Sequence, residues 1–167
     1  MNTVKILNTT ISKTSLVEVS NILNTENSLK IAICNTNTVV RSYKNDQLSK
    51  IINSFDIKTP DGFPVAKSSS ILYKNSQSRV DGYNVLLKTI NDGLTKNTSH
   101  YFYGSEDFVL KKMIGKLKND FPNINIVGSS SPPVGSYDKL MQEEYVKDII
   151  DAEPDIVWVS LGFPKQE

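Results

Sequence analysis

The chain has 167 residues, 38% of them hydrophobic, with 19 Lys plus Arg against 18 Asp plus Glu, which is the size and balance of one globular domain. A formal net charge of +1 excludes nucleic-acid binding through bulk charge, so any anion site has to be local. Cys34 and His100 are the only residues of their types, which excludes an internal disulfide, a Cys/His zinc site and a histidine-based triad within the chain. The first residues lack the apolar run of roughly seven that a signal peptide needs, and no run of roughly 18 follows, so the expected compartment is the cytoplasm.

Short β-rich runs alternate with longer segments of helical period, which predicts an α/β fold: a Rossmann-like, mostly parallel sheet with helices on both faces. Val4 to Leu7 and Thr10 to Lys13 are close enough to pair as a small N-terminal β ribbon. A helix from about Ser15 to Leu23 follows, with Ser15 placed to act as N-cap. Leu29 to Asn35 carries a continuous apolar core suited to a strand covered on both faces. From Thr38 to Ile52 the apolar positions fit helical turns interrupted near Asn45-Asp46, and a short strand is expected at Asp56 to Lys58. Thr59-Pro60-Asp61-Gly62 then reads as a loop into a helix from about Pro64 to Tyr73. Tyr83, Leu86, Leu87, Ile90 and Leu94 mark an amphipathic helix.

His100-Tyr101-Phe102-Tyr103 predicts a strand running into Gly104-Ser105, with a helix whose apolar side runs from Phe108 to Phe121. His100 reads as a strand-edge polar residue without a chemical role, and the aromatic run as sheet packing. Asn123 to Gly128 is a further strand, Asp138 to Asp151 a helix and Asp155 to Leu161 the last strand, which delivers a loop at Gly162 to Glu167. In open parallel sheets ligands sit at the carboxyl ends of strands. A domain rarely finishes on such a loop, so the expectation is a single domain whose C-terminal part is missing.

Three segments in order, TPDGFPVA at Thr59 to Ala66, SRVDGYN at Ser78 to Asn84 and VWVSLGFPKQE at Val157 to Glu167, carry a specific similarity. Asn35-Thr36-Asn37, Tyr103-Gly104-Ser105, and Ile126-Val127-Gly128 followed by Ser131-Pro132-Pro133 support it. With these the chain resembles the WecG/TagA/CpsF family of bacterial glycosyltransferases from about Ile6 onward. The resemblance implies inverting transfer of an N-acetylhexosamine, of the N-acetylmannosamine kind, from a UDP-sugar donor to an undecaprenyl-type lipid-linked acceptor in cell-wall or surface polysaccharide synthesis. It further implies no cofactor and no essential metal, peripheral contact with the inner face of the membrane in a longer protein, and roughly 70 residues beyond the PKQE segment; a homo-oligomer is compatible with it. Composition agrees only in part: the chain has no D-x-D triplet to hold a divalent ion under a diphosphate.

Under this resemblance Asp61 is the catalytic base that takes the acceptor hydroxyl proton; as a bare residue it is equally a turn aspartate capping the helix near Pro64. Asn35 and Asn37 become sugar or phosphate contacts, with Asn35 standing where the family commonly has Thr, and both also suit Asx turns. Arg79 offers two parallel donors to the leaving diphosphate, or is a solvated surface arginine. Asn84 stands where the family usually has Asp. Gly104 and Ser105 lie between a strand and a helix N-terminus, where an anion is favoured, although such turns carry small residues for steric reasons too. Gln166 and Glu167 offer an amide and a carboxylate to ribose or sugar hydroxyls, while Pro164 to Glu167 also fits a helix start. A non-catalytic nucleotide-sugar binding module is the rival reading, which UDP binding without transfer would support.

Overall fold

A computed structural model describes residues 2–74, 76–132 and 143–167, with side chains from 146 onward in the last stretch. The chain divides into two compact units, the first reaching to Thr89 and including Glu167, the second running from Ile90 to Gln166. Each has its own parallel strand pairing.

In the first unit β1 (Thr3–Ile6) and β2 (Thr9–Ser12) form the antiparallel ribbon, joined by a two-residue turn with Leu7 at φ 53. Asn53 pins it: its Oδ1 accepts from the Thr10 amide (2.9 Å) and hydroxyl (2.8 Å), and its Nδ2 donates to the Asn8 carbonyl (2.7 Å). α1 (Leu16–Leu23) opens on a capping box, with Ser15 and Glu18 exchanging side-chain and backbone hydrogen bonds, so the expected N-cap is present. β3 (Ile31–Cys34) pairs in parallel with β4 (Ile57–Pro60). β3 alternates, with Ala32 and Cys34 fully buried and Ile31 and Ile33 half-buried; a Cβ on Gly82 would lie 3.7 Å from Ile33, so the second face is only lightly covered.

Asn45 explains the expected interruption between Thr38 and Ile52. It ends α2 (Thr36–Lys44) and, in an extended conformation at φ −143, starts α3 (Asp46–Asn53) by accepting from the Leu48 amide at 3.1 Å. β4 corrects the expected loop at Thr59-Pro60: both residues belong to the strand. Pro60 is tolerated there because it is the last strand residue, where a missing N–H costs least; its carbonyl still accepts from Val80 N–H at 3.0 Å. α4 (Phe63–Tyr73) is tied to β1 through the Tyr73 hydroxyl, which accepts from Lys5 N–H (3.0 Å) and donates to the Lys5 carbonyl (2.6 Å). α5 (Gly82–Gly93) follows, and the division between the units falls within it.

In the second unit a 3₁₀ turn (Leu94–Lys96) leads into β5 (Ser99–Gly104), followed by α6 (Asp107–Asp120), β6 (Asn125–Ser130), α7 (Glu143–Ala152) and β7 (Ile156–Ser160). The three strands form a parallel sheet in the order β6-β5-β7. β6 begins two residues later than the pattern suggests, because Ile124 N–H closes a turn onto the Phe121 carbonyl at 3.0 Å. Of the expected helix from Asp138, residues 138–142 lie outside the described residues, as does Pro133.

The central position of β5 corrects the reading of His100. It lies on an interior strand rather than at an edge, is 1% exposed, and is opposite Ile126 on one side and Ile156 on the other. Tyr101, Phe102 and Tyr103 are buried with it, as sheet packing requires. The chain is therefore an α/β protein with parallel strand pairing in each unit and a small antiparallel ribbon at its N-terminus.

Candidate functional site

Four of the expected residues lie in the first unit, near the carboxyl ends of β3 and β4. Asp61 directly follows β4, and its N–H donates to the Cys34 carbonyl at 3.0 Å, which fixes its backbone across the strand pair. The N-cap of α4 is Gly62 at φ 85, with no side-chain hydrogen bond, so Asp61 does not cap that helix. A left-handed residue at this position brings the chain sharply into α4, and glycine adopts it without a Cβ clash. Freed from capping, the Asp61 carboxylate faces Arg79: Nε lies 3.4 Å from Oδ1, with the Asp61 side chain 21% and the Arg79 side chain 56% exposed.

Arg79 has a second carboxylate within reach, one the sequence reasoning did not single out. Asp81 Oδ2 is 3.7 Å from the same Nε, and the Asp81 side chain is only 9% exposed. Asp81 also stands ahead of α5 in the N-cap manner, its Oδ1 accepting from Asn84 N–H at 3.1 Å and its Oδ2 from Asn84 Nδ2 at 2.7 Å. Burial opposes its charge, but the hydrogen bonds from Asn84 and the neighbouring Arg79 outweigh it and hold the carboxyl below its ordinary value. The D-x-x-N spacing within SRVDGYN was the available signal.

Asn35 caps α2: its Oδ1 accepts from Thr38 N–H at 3.1 Å and lies 3.4 Å from the Thr38 hydroxyl. With the acceptor so engaged, Nδ2 is the end of this side chain suited to an incoming oxygen, which favours a phosphate or carbonyl over a hydroxyl proton. Asn37 is exposed in the first turn of α2. Beside them, at the end of β3, burial pushes the Cys34 thiol up to about 12, which makes it an inert packing group. Burial likewise lowers Lys58 in β4, whose ammonium donates to the Phe55 carbonyl.

The second unit holds Gly104, Ser105 and Gln166. Gly104 has φ 97, and a Cβ there would lie 2.6 Å from Leu161 Cδ2 and 2.7 Å from the Ser160 carbonyl oxygen, so only glycine fits. Ser105 is left-handed at φ 65, its N–H donating to the Ser160 carbonyl at 2.9 Å and its carbonyl accepting from Ser131 Oγ at 2.6 Å. This turn is therefore held from β7 and from the chain after β6. The N-terminus of α6 has Glu106 at the N-cap, with no side-chain capping hydrogen bond, and Asp107 in its first turn, so two acidic residues stand where the helix dipole favours negative charge.

Residues 163–166 form a turn instead of a helix start: Lys165 N–H donates to the Gly162 carbonyl at 2.8 Å, and Gln166 Oε1 accepts from Gly162 N–H at 3.2 Å. The Phe163-Pro164 peptide is cis. Gln166 is half-buried in the second unit, and Glu167, also half-buried, groups with the first. The structure thus brings Asp61 and Arg79 into one ion pair with Asp81, and Gly104 and Ser105 into one turn. Among the described residues no group of three or more His, Cys, Asp or Glu is arranged to hold a metal ion.

The chain is an α/β protein of the parallel-sheet type, a class in which ligands sit at the carboxyl ends of strands. The chain belongs to the glycosyl transferase WecG/TagA/CpsF family, whose family model matches residues 4–167. It is 31% identical over 137 residues to an N-acetylglucosaminyldiphosphoundecaprenol N-acetyl-beta-D-mannosaminyltransferase of Bacillus spizizenii, covering 82% of this chain and 51% of that one. Proteins of the same name match from Bacillus subtilis, at 30% identity over 82% of this chain and 52% of the relative, and from Staphylococcus aureus, at 26% over 84% and 54%. The chain spans about half the length of the curated relatives it matches.

Proposed function

We propose that the chain supplies the donor pocket and catalytic base of an inverting glycosyltransferase that moves an N-acetylmannosamine-type sugar from a UDP-sugar to an undecaprenyl-diphosphate-linked N-acetylglucosamine acceptor. The observation that carries the reading is the family match over residues 4–167 taken with an Asp61 carboxylate that caps no helix and faces a guanidinium. The names of the relatives support the sugar and the lipid-linked acceptor.

In this mechanism Asp61 accepts the proton of the acceptor hydroxyl as its oxygen attacks the anomeric carbon from the face opposite the diphosphate. The new carbon–oxygen bond forms as the bond to the diphosphate breaks, the electron pair leaves with UDP, and the anomeric configuration inverts. Arg79 lies beside the base, where its planar donors can meet the charge that builds on the departing diphosphate. Asn35 Nδ2 and Asn37, which lie in the same unit as Asp61 and Arg79, supply further donor contacts. The acceptor lipid places the reaction at the inner membrane face as a peripheral event; among the described residues no helix is long and apolar enough to cross a membrane.

The test is Asp61→Asn in the full-length protein, assayed with a UDP-N-acetylhexosamine and a lipid-diphosphate acceptor. Transfer is expected to fall about 100-fold or more, with UDP-sugar binding nearly intact. Equal turnover of variant and wild type refutes Asp61 as the base, and UDP binding without any wild-type transfer favours the non-catalytic module.

A further inference from the structure

We propose that Asp81 is a positioning residue: it holds the Arg79 guanidinium by its Nε edge beside Asp61, so that the Nη edge faces the diphosphate of the donor. The inference rests on the donor reading above and adds a residue to it. Both ion pairs of Arg79 are made at one atom, Nε, at 3.4 Å to Asp61 and 3.7 Å to Asp81, and among the described residues its hydrogen bond is made from Nε as well. A guanidinium bound along that edge keeps its two Nη groups for a bidentate anion, the geometry that suits phosphate oxygens.

Of the three groups, Asp81 is the fixed one. Its carboxylate is buried, and both oxygens are engaged by Asn84, Oδ1 at 3.1 Å from the backbone N–H and Oδ2 at 2.7 Å from Nδ2. The backbone that follows Arg79 is also constrained: Val80 is 1% exposed and donates to the Pro60 carbonyl at 3.0 Å, one residue before Asp61. Arg79 is the exposed member, with several rotatable bonds, and a lone exposed ion pair with Asp61 would order it poorly. A second, anchored carboxylate narrows the range of guanidinium positions before the donor arrives, and that lowers the ordering cost of binding.

Asp81→Asn isolates the charge, because asparagine caps a helix as well as aspartate. In the full-length protein, calorimetric affinity for UDP is expected to fall about tenfold in Asp81→Asn, with the melting temperature little changed. In an Arg79→Ala background the same substitution is expected to change UDP affinity less than twofold, whereas a merely structural role would carry the full loss into that background. The second measurement needs no ligand. The Arg79 Nε–H signal is assigned by NMR as the one that Arg79→Ala removes; it is expected to be resolved and slowly exchanging in wild type and faster-exchanging in Asp81→Asn. An identical Nε–H signal in the two proteins, or an undiminished loss of UDP affinity in the Arg79→Ala background, overturns the positioning role. A wild-type protein that does not bind UDP overturns the donor reading instead, and the Nε–H signal then still judges the clamp.

Discussion

His100 makes a pH-dependent stability that one residue dominates. Its imidazole is buried on the central strand of the second unit, where Trp158 Nε1 donates to its Nδ1 at 3.2 Å, which fixes the neutral tautomer with the proton on Nε2. Burial pushes its pKa down from 6.5 to about 4, against a weaker opposing pull from Asp155. The unfolded chain therefore binds a proton below 6.5 that the folded chain refuses until about 4. For a base whose folded value is depressed, the stabilisation is complete above 6.5 and is lost as pH falls through that value. The loss is about 2 kcal/mol at pH 5 and approaches about 3 kcal/mol near pH 4. The carboxylates with lowered values, Glu18, Asp81, Asp120 and Asp155, contribute stability that is lost only at lower pH, below their ordinary values of 4.5 and 3.8, so the window from pH 7 to 5 isolates His100. Urea unfolding read by Trp158, the sole tryptophan, at pH 7, 6 and 5 measures the slope. His100→Asn keeps an acceptor for the indole and removes the titration; it is expected to be less stable at pH 7 yet nearly flat over this range. A wild-type free energy constant within about 0.5 kcal/mol from pH 7 to 5, or an equal slope in His100→Asn, refutes the reasoning.

Gly104→Ala should destabilise the second unit by about 2 kcal/mol or more, since the new methyl combines a left-handed φ with overlap of the Ser160 carbonyl and Leu161; a urea midpoint equal to wild type in an otherwise intact chain counts against it. Chelator is expected to leave transfer by the full-length protein unchanged, because in the proposed mechanism Arg79 meets the departing diphosphate and no D-x-D triplet occurs in these 167 residues. Loss of turnover on chelation, restored by manganese or magnesium, would show that the diphosphate is held by a metal.

Local features were legible wherever a residue's own chemistry decides its conformation. Ser15 with Glu18, and Asn45 between two helical runs, have side chains whose hydrogen bonds compete with the helix ladder, so they announce boundaries without knowledge of the rest of the fold. Strand order was not legible in the same way. That β5 lies between β6 and β7 depends on which strands pair across long stretches of sequence, and the misreading of His100 as an edge residue came from there. Pro60 is a second case: proline looks like the start of a loop, yet at the last residue of a strand its ring costs no ladder bond, and a one-residue difference in boundary separates the two readings.

The candidate base shows how a local alternative is decided by a neighbour. As a residue, Asp61 fits a helix cap as well as a site carboxylate, and nothing in TPDG separates the two. The choice falls on Gly62: because it takes the cap position itself at φ 85, the Asp61 side chain is directed away from the N–H groups of α4 and is left to Arg79. Arg79 in turn is placed by the backbone bond from Val80 to Pro60, which runs the 78–81 segment past the end of β4. Two glycine-dependent or backbone-dependent choices thus fix the relation of two charged side chains 18 residues apart in sequence. Polar chemistry at this strand end follows from chain direction first and from side-chain type second, which is why the motif residues could be named from the sequence while the third member of the cluster, Asp81, required the geometry.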